Sequence, residues 1–260
     1  MLLPTTSVIA AEYQSFSDVS YSRFDAKHSH SNFYGVSTRY FLDKRASLGP
    51  LNEFEYINTI SNVSGHYSHS DNSDRYNVAG ELFLNDFVIG GGYSYTDYDS
   101  SFINDSEKHY NANLGYLISE NFIVHANAGK VDGGKTNYNF SSSYNHQLND
   151  KDYIGFTFNT DDDFDYRHLS SKYYKSLEGG QYLTLGLNYQ NHRDSDNYLS
   201  GNINFYFNEK TSVFAGYDNY TFGAEYFFNN NYSLNARYQS NASSHLSDLD
   251  IYSVNFTAQF

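Results

Sequence analysis

Ten histidines and 30 acidic residues give this 260-residue chain ample material for acid–base or metal chemistry. None of it is spaced for such work. His28 and His30 would need further ligands from elsewhere to hold a metal, and two ligands make a weak site. Asp161-Asp162-Asp163 with Asp165 is the densest acidic run, yet it lacks the Gly turn and distal Glu of a helical calcium loop. It reads as a solvated turn, or as a surface divalent-cation site shared with lipopolysaccharide. A hydrolase needs a nucleophile or activated water beside an ordered acid–base partner, and no local signature selects such a trio. Without cysteine there is neither a disulfide framework nor thiolate chemistry. The sequence therefore predicts no enzyme, no metal and no cofactor.

The charges that invite a role lie inside stretches of alternating polarity. Arg39, Glu81, Arg167, Glu225 and Arg237 each fall opposite apolar neighbours, on the polar side of such a stretch. Glu55 sits where alternation is ambiguous. Period-two alternation marks strands with one apolar and one polar face. Tyr34, Val36, Tyr40 and Leu42 share one face while Ser37 and Arg39 share the other; Leu183, Leu185, Leu187 and Tyr189 oppose Thr184, Gly186 and Asn188. His125 and Asn127 also take the polar side. The last residues, DLDIYSVNFTAQF, alternate strictly: Tyr252, Val254, Phe256, Ala258 and Phe260 against Ser253, Asn255, Thr257 and Gln259.

Short Asn/Asp/Glu/Ser turns separate these stretches, which is hairpin chemistry. Sixteen strands are expected, near 13–24, 32–42, 53–68, 75–84, 87–98, 109–118, 122–131, 137–147, 152–160, 164–176, 181–191, 197–207, 211–217, 220–228, 231–240 and 249–260. The stretch 137–176 alternates poorly, so fourteen or twelve remain open. With 28 Tyr and 21 Phe but a polar bulk composition, the pattern fits a wall that is apolar only at alternate positions. A charge facing lipid at mid-depth costs roughly 2–4 kcal/mol for Arg or Lys, which places the five strand charges in a lumen. There they either brace the wall by pairing or set a transverse field that filters ions. The expected fold is thus all-β: a closed up-and-down antiparallel transmembrane β-barrel, with longer stretches such as 25–31, 99–108, 131–136 and 241–248 as extracellular loops. The even strand count puts both termini on the periplasmic side.

The net charge of −14 argues against nucleic-acid binding and fits solvated acidic loops or a lumen field favouring cations. Residues 1–11, with Leu2, Leu3, Val8, Ile9, Ala10 and Ala11, read as the tail of a signal peptide, leaving 12–260 as a single barrel domain.

A terminal aromatic closing an alternating strand resembles the C-terminal signal of bacterial outer-membrane β-barrels, which implies recognition of Phe260, Phe256 and Tyr252 by the barrel-assembly machinery. The segment GPLNEFEYINTISNVSGHYS (49–68) resembles the third strand of a porin-like family, general porins of Gram-negative bacteria. Gly49, Pro50, Leu51, Glu53 or Glu55, and Ser61-Asn62-Val63-Ser64 carry that likeness. It implies an outer-membrane porin, passive diffusion of small hydrophilic solutes and ions, contact with outer-membrane lipid and lipopolysaccharide, and often a homotrimer. No loop is long enough to match the inward-folded constriction loop of the best-known porins, so none is expected here. The competing expectation is a non-channel barrel, closed by its own side chains, serving as adhesin, receptor or envelope scaffold. Phe260→Ala is expected to lower the yield of folded barrel, measured by heat-modifiable mobility of outer-membrane fractions, while leaving the conductance of the folded remainder unchanged.

Overall fold

The computed structural model describes residues 10–27, 29–99, 104–193, 195–217, 220–240 and 249–260. Its strands are β1 (Glu12–Ala26), β2 (Ser29–Ala46), β3 (Asn62–Ser70), β4 (Ser73–Leu84), β5 (Phe87–Asp99), β6 (Asn104–Ser119), β7 (Phe122–Val131) and β8 (Thr136–Gln147). They continue as β9 (Tyr153–Asp161), β10 (Tyr166–Ser176), β11 (Tyr182–His192), β12 (Tyr198–Asn208), β13 (Thr211–Tyr217), β14 (Tyr220–Phe227), β15 (Tyr232–Ser240) and β16 (Leu249–Gln259). Each pairs antiparallel with its sequence neighbours, and β1 pairs with β16, closing one barrel of sixteen strands. The fourteen- and twelve-strand alternatives are excluded. No helix among the described residues is long and apolar enough to cross a membrane, and the strands do the crossing.

Closure is made at the chain ends. Asp25 faces Asp250 and Phe16 faces Gln259 in the β1–β16 register. The Phe260 carbonyl accepts from the backbone N–H groups of Gln14 and Ser15, the latter at 2.8 Å, and Phe260 N–H returns a bond to Ser15. Both free edges are thereby consumed, which is what a sheet in hydrocarbon requires.

The two faces separate as alternation dictates. Val36, Leu42, Leu187 and Leu199 project outward and are exposed, as are Tyr252, Val254 and Phe256. Outward aromatics cluster near both rims. Tyr67–Tyr76 and Tyr93–Tyr110 pair near one rim, and Phe87–Tyr116 and Tyr232–Phe260 near the rim that carries the termini. These are the girdles expected at two membrane interfaces.

Three differences from the sequence reading matter. Strands at the rim opposite the termini run longer than expected: β1 extends to Ala26, β2 begins at Ser29 and β6 begins at Asn104, so much of 25–31 and 99–108 is wall. The expected loop 241–248 and most of the expected signal segment lie outside the described residues. The expected strand 53–68 is corrected, because β3 starts only at Asn62. Residues 47–61 are not wall at all.

Leu187→Arg, at mid-strand in β11 and facing outward, is expected to cost about 2–4 kcal/mol in lipid vesicles. Asn188→Arg, one residue on and facing the lumen, should cost well under half of that, as read by denaturant unfolding of the vesicle-embedded barrel.

Candidate functional site

Residues 47–61 leave the wall after β2 and turn into the lumen at the terminal rim. Gly49 begins the turn with φ +126°, a backbone conformation that side chains oppose, and a Cβ there would lie 2.5 Å from the Tyr182 ring. Pro50 follows and lends its carbonyl to Glu53 N–H at 3.0 Å, while Leu48 N–H reaches the Glu53 carbonyl at 2.8 Å. The chain thus reverses inside the barrel. Its ends are fixed to the sheet: Ser47 N–H donates to the Ala11 carbonyl, Leu42 N–H to the Ser61 carbonyl, and Phe83 N–H to Ser61 Oγ, each at 2.8 Å.

From there the segment spans the lumen and finds partners all round it. Leu51 N–H donates to the Glu209 carbonyl at 3.0 Å, and its own carbonyl accepts from Gln259 Nε2 at 3.1 Å. Asn52 Nδ2 donates to Glu225 Oε2 at 2.5 Å, and Ser233 Oγ donates to Glu225 Oε1 at 2.9 Å. The Glu53 side chain is only 7% exposed; it forms an ion pair with Lys172 Nζ and accepts from the Tyr206 hydroxyl at 2.5 Å. Asn204 Nδ2 in turn donates to Tyr206 at 2.7 Å. The Tyr174 hydroxyl donates to the Leu48 carbonyl at 2.6 Å, and its ring stacks on Tyr153 with centroids 5.4 Å apart.

The other half of the segment is held by packing. Phe54 meets Phe16 edge-on at 5.3 Å, and the Arg45 guanidinium lies 4.7 Å from its centroid. The Tyr56 hydroxyl bonds Thr157 Oγ1 at 2.7 Å. Ile57 buries against Val88 and Ile123. Gly155 makes room for Tyr56, since a Cβ at that position would sit 2.5 Å from its ring. Strands β1, β2, β5, β7, β9, β10, β12, β14 and β16 therefore all touch it. This corrects the expectation that nothing folds inward. The insert comes from a connection on the terminal rim.

The insert divides the lumen. On its terminal side lies a cavity of about 1380 Å³, with Glu55, Asp86, Glu120, Asp150 and Glu209 in its lining against one base, Lys151. On its other side two polar recesses remain, of about 660 and 560 Å³. Arg39, Glu81 and Asn127 line the smaller recess, where Asn113 Nδ2 donates to Glu81 Oε1 at 3.3 Å. Glu225 and Arg237 line the larger one, with the Arg237 guanidinium 5.1 Å from the Phe214 centroid. The structure does not gather these charges into one filter. Arg167 is the exception in facing. Its β10 register gives it the face of Leu169 and Tyr173, and its Nε donates to the Phe164 carbonyl at 2.9 Å, so it belongs to the outer surface near the far rim. His125 faces inward and bonds Asn113 Oδ1 at 3.1 Å. Among the described residues, no group of three or more His, Cys, Asp or Glu could hold a metal ion.

Asn52, Lys172 and Tyr206 are the site residues that the sequence did not single out, while Glu53 enters only through the family likeness and Gln259 only as one polar-face residue of the last strand. The only sequence signal was the Gly-Pro pair at 49–50, which breaks a strand and promises a turn.

A closed antiparallel barrel with outward aromatic girdles, a polar lumen and an inward-folded constriction defines the class of outer-membrane diffusion channels. The family model described as "Putative general bacterial porin" matches residues 2–260, and the chain belongs to that family. Among solved structures, the outer membrane protein Omp33 of Acinetobacter baumannii aligns with TM-score 0.58 and 17% identity, covering 96% of this chain and 99% of its own. A triple mutant of the Rhodopseudomonas blastica porin aligns with TM-score 0.52 and 10% identity, covering 97% and 100%. OpdQ of Pseudomonas aeruginosa gives TM-score 0.50 and 10% identity, covering 97% and 99%. At such identities these likenesses establish the fold alone. No curated protein sequence matches significantly. Family and fold point to a channel in the bacterial outer membrane rather than an enzyme.

Gly155→Ala is expected to destabilise the barrel by about 1–3 kcal/mol, because the added methyl collides with Tyr56. In a Tyr56→Ala background that penalty should largely vanish, so a double-mutant cycle on unfolding free energies reads the contact directly.

Proposed function

We propose that this porin lets small hydrophilic solutes and ions diffuse passively through its lumen, with a weak preference for cations. The observation that carries the preference is the cavity at the terminal rim, where five carboxylates face a single lysine. Deeper in, acids and bases are mixed: Glu53, Glu225, Lys172 and Arg237 line the larger recess, and Glu81, Arg39 and Arg45 the smaller. An acidic mouth raises the local concentration of cations, while the amide-rich recesses beyond it, where acids and bases are mixed, discriminate mainly by size. In this reading the terminal rim is periplasmic and the barrel-assembly machinery reads Tyr252, Phe256 and Phe260. The outer girdles meet lipid and lipopolysaccharide, and the functional unit is a homotrimer.

The insert itself favours a second reading, a barrel that conducts nothing and serves as adhesin, receptor or envelope scaffold. A segment that touches the wall on every side is also what a permanent seal would look like. Stable single-channel conductance supports the porin; its absence in a folded sample supports the scaffold.

Reversal potentials across a potassium chloride gradient in a planar bilayer test the selectivity. A modest cation preference is expected, reduced by Asp86→Asn combined with Glu120→Gln. Clear anion selectivity of the unmodified chain would overturn it.

A further inference from the structure

We infer that residues 47–61 are a releasable gate, latched by the buried Glu53 carboxylate, and that conductance requires its displacement. The inference rests on the porin reading and adds to it how passage is controlled.

Two features of the segment's attachment support a moving part. Its ends are tied by main-chain bonds to the sheet, through Ser47 to Ala11 and through Leu42 to Ser61, so it can swing without leaving the barrel. Its middle is held differently. Among the described residues no main-chain hydrogen bond joins residues 54–57 to the wall; they rest on side-chain contacts by Phe54, Tyr56 and Ile57. Segments so attached open at far lower free energy than strands in a ladder.

The strongest polar contacts sit at one point. Glu53 meets Lys172 and Tyr206, and next to it Asn52 meets Glu225. All three wall residues project from separate strands, β10, β12 and β14, so one motion of residues 52–53 breaks these contacts together. Glu53 loses its compensation only as it moves, and it can move towards water, because cavities lie on both sides of the insert. A buried carboxylate with a single ionic partner and an aqueous route out is a two-state element. A hydrophobic plug in the same place would have no such alternative.

Gly49 supplies the joint. Its positive φ and the adjoining Pro50 set the direction in which the segment enters the lumen, and Tyr182 lies directly against it. On displacement the lumen faces of Tyr153, Tyr174 and Tyr206, now nearly fully buried, would become the lining of the passage.

The test uses the full chain refolded and inserted in planar bilayers. The chain has no native cysteine, so Asn52→Cys with Glu225→Cys introduces the only two thiols. Bridging them with a short cleavable bis-thiol reagent should abolish conductance, and reductant should restore it. Lys172→Met and Glu53→Gln, which weaken the latch without touching its hinge, should each raise open probability several-fold. A bridged channel that conducts like the unbridged one, or latch variants indistinguishable from the parent, overturns the gate while leaving the porin reading intact. A chain in which residues 50–58 are replaced by a short Asn-Gly turn separates the two ideas. If it too is silent although folded by heat-modifiable mobility, the porin reading fails and the gate with it. If it conducts while the latch variants stay silent, the insert is a fixed seal and the gate is wrong.

Discussion

Every backbone amide that enters hydrocarbon must find a partner within the protein, and the architecture follows from that requirement. Sixteen strands meet it only because β1 and β16 pair through eleven positions and the Phe260 carbonyl takes up the amides at the start of β1. Once the sheet is closed, side-chain facing is no longer free. Residues of one parity meet lipid, and the rest inherit a wet interior. That is why Leu187 and Asn188, adjacent in sequence, live in different solvents.

Closure also creates a difficulty. A cylinder of sixteen strands is wider than inward side chains can fill, in contrast to eight-stranded barrels whose interiors pack shut. Residues 47–61 answer this by bringing a second layer of side chains into the centre. The wall is prepared for them. Gly155 is bare where Tyr56 lies, Val88 and Ile123 make an apolar spot for Ile57, and Phe16 receives Phe54. Lys172 projects its ammonium to the one buried carboxylate of the insert. Gln259, the penultimate residue, anchors Leu51, so the strand that closes the barrel also seats the insert.

Much of this was legible in the sequence, and what was missed was missed for physical reasons. Period-two alternation reports the two faces because lipid and water enforce it, and the strands from β11 onward fell close to expectation. Residues 51–57, Leu-Asn-Glu-Phe-Glu-Tyr-Ile, alternate only ambiguously, mixing polar and apolar residues as a strand can, yet their apolar members serve packing inside the lumen. Beyond the Gly-Pro break at 49–50, nothing local distinguishes the two. The partners that do are remote: Lys172 is 119 residues from Glu53 and Gln259 is 208 from Leu51. Arg167 failed for a related reason. It lies in the region of weakest alternation, near a rim where outward polar groups reach interfacial water, so the penalty that sorts charges at mid-depth no longer applies.

The stretch that carried the family likeness acquires a different meaning in three dimensions. Read as sequence alone, Gly-Pro-Leu followed by an acid resembles the opening of a wall strand. In the structure each of those residues has a task that only an inward turn requires. Gly49 adopts a φ of +126°. Pro50 contributes a carbonyl to the turn and has no amide to leave unsatisfied. Leu51 is buried with both its backbone groups bonded, to Glu209 and Gln259. Glu53 brings the carboxylate that Lys172 and Tyr206 receive. Strand pairing would use none of these features and would be hindered by the proline. Only with Ser61-Asn62-Val63-Ser64 does the chain rejoin the sheet, and there alternation becomes informative again.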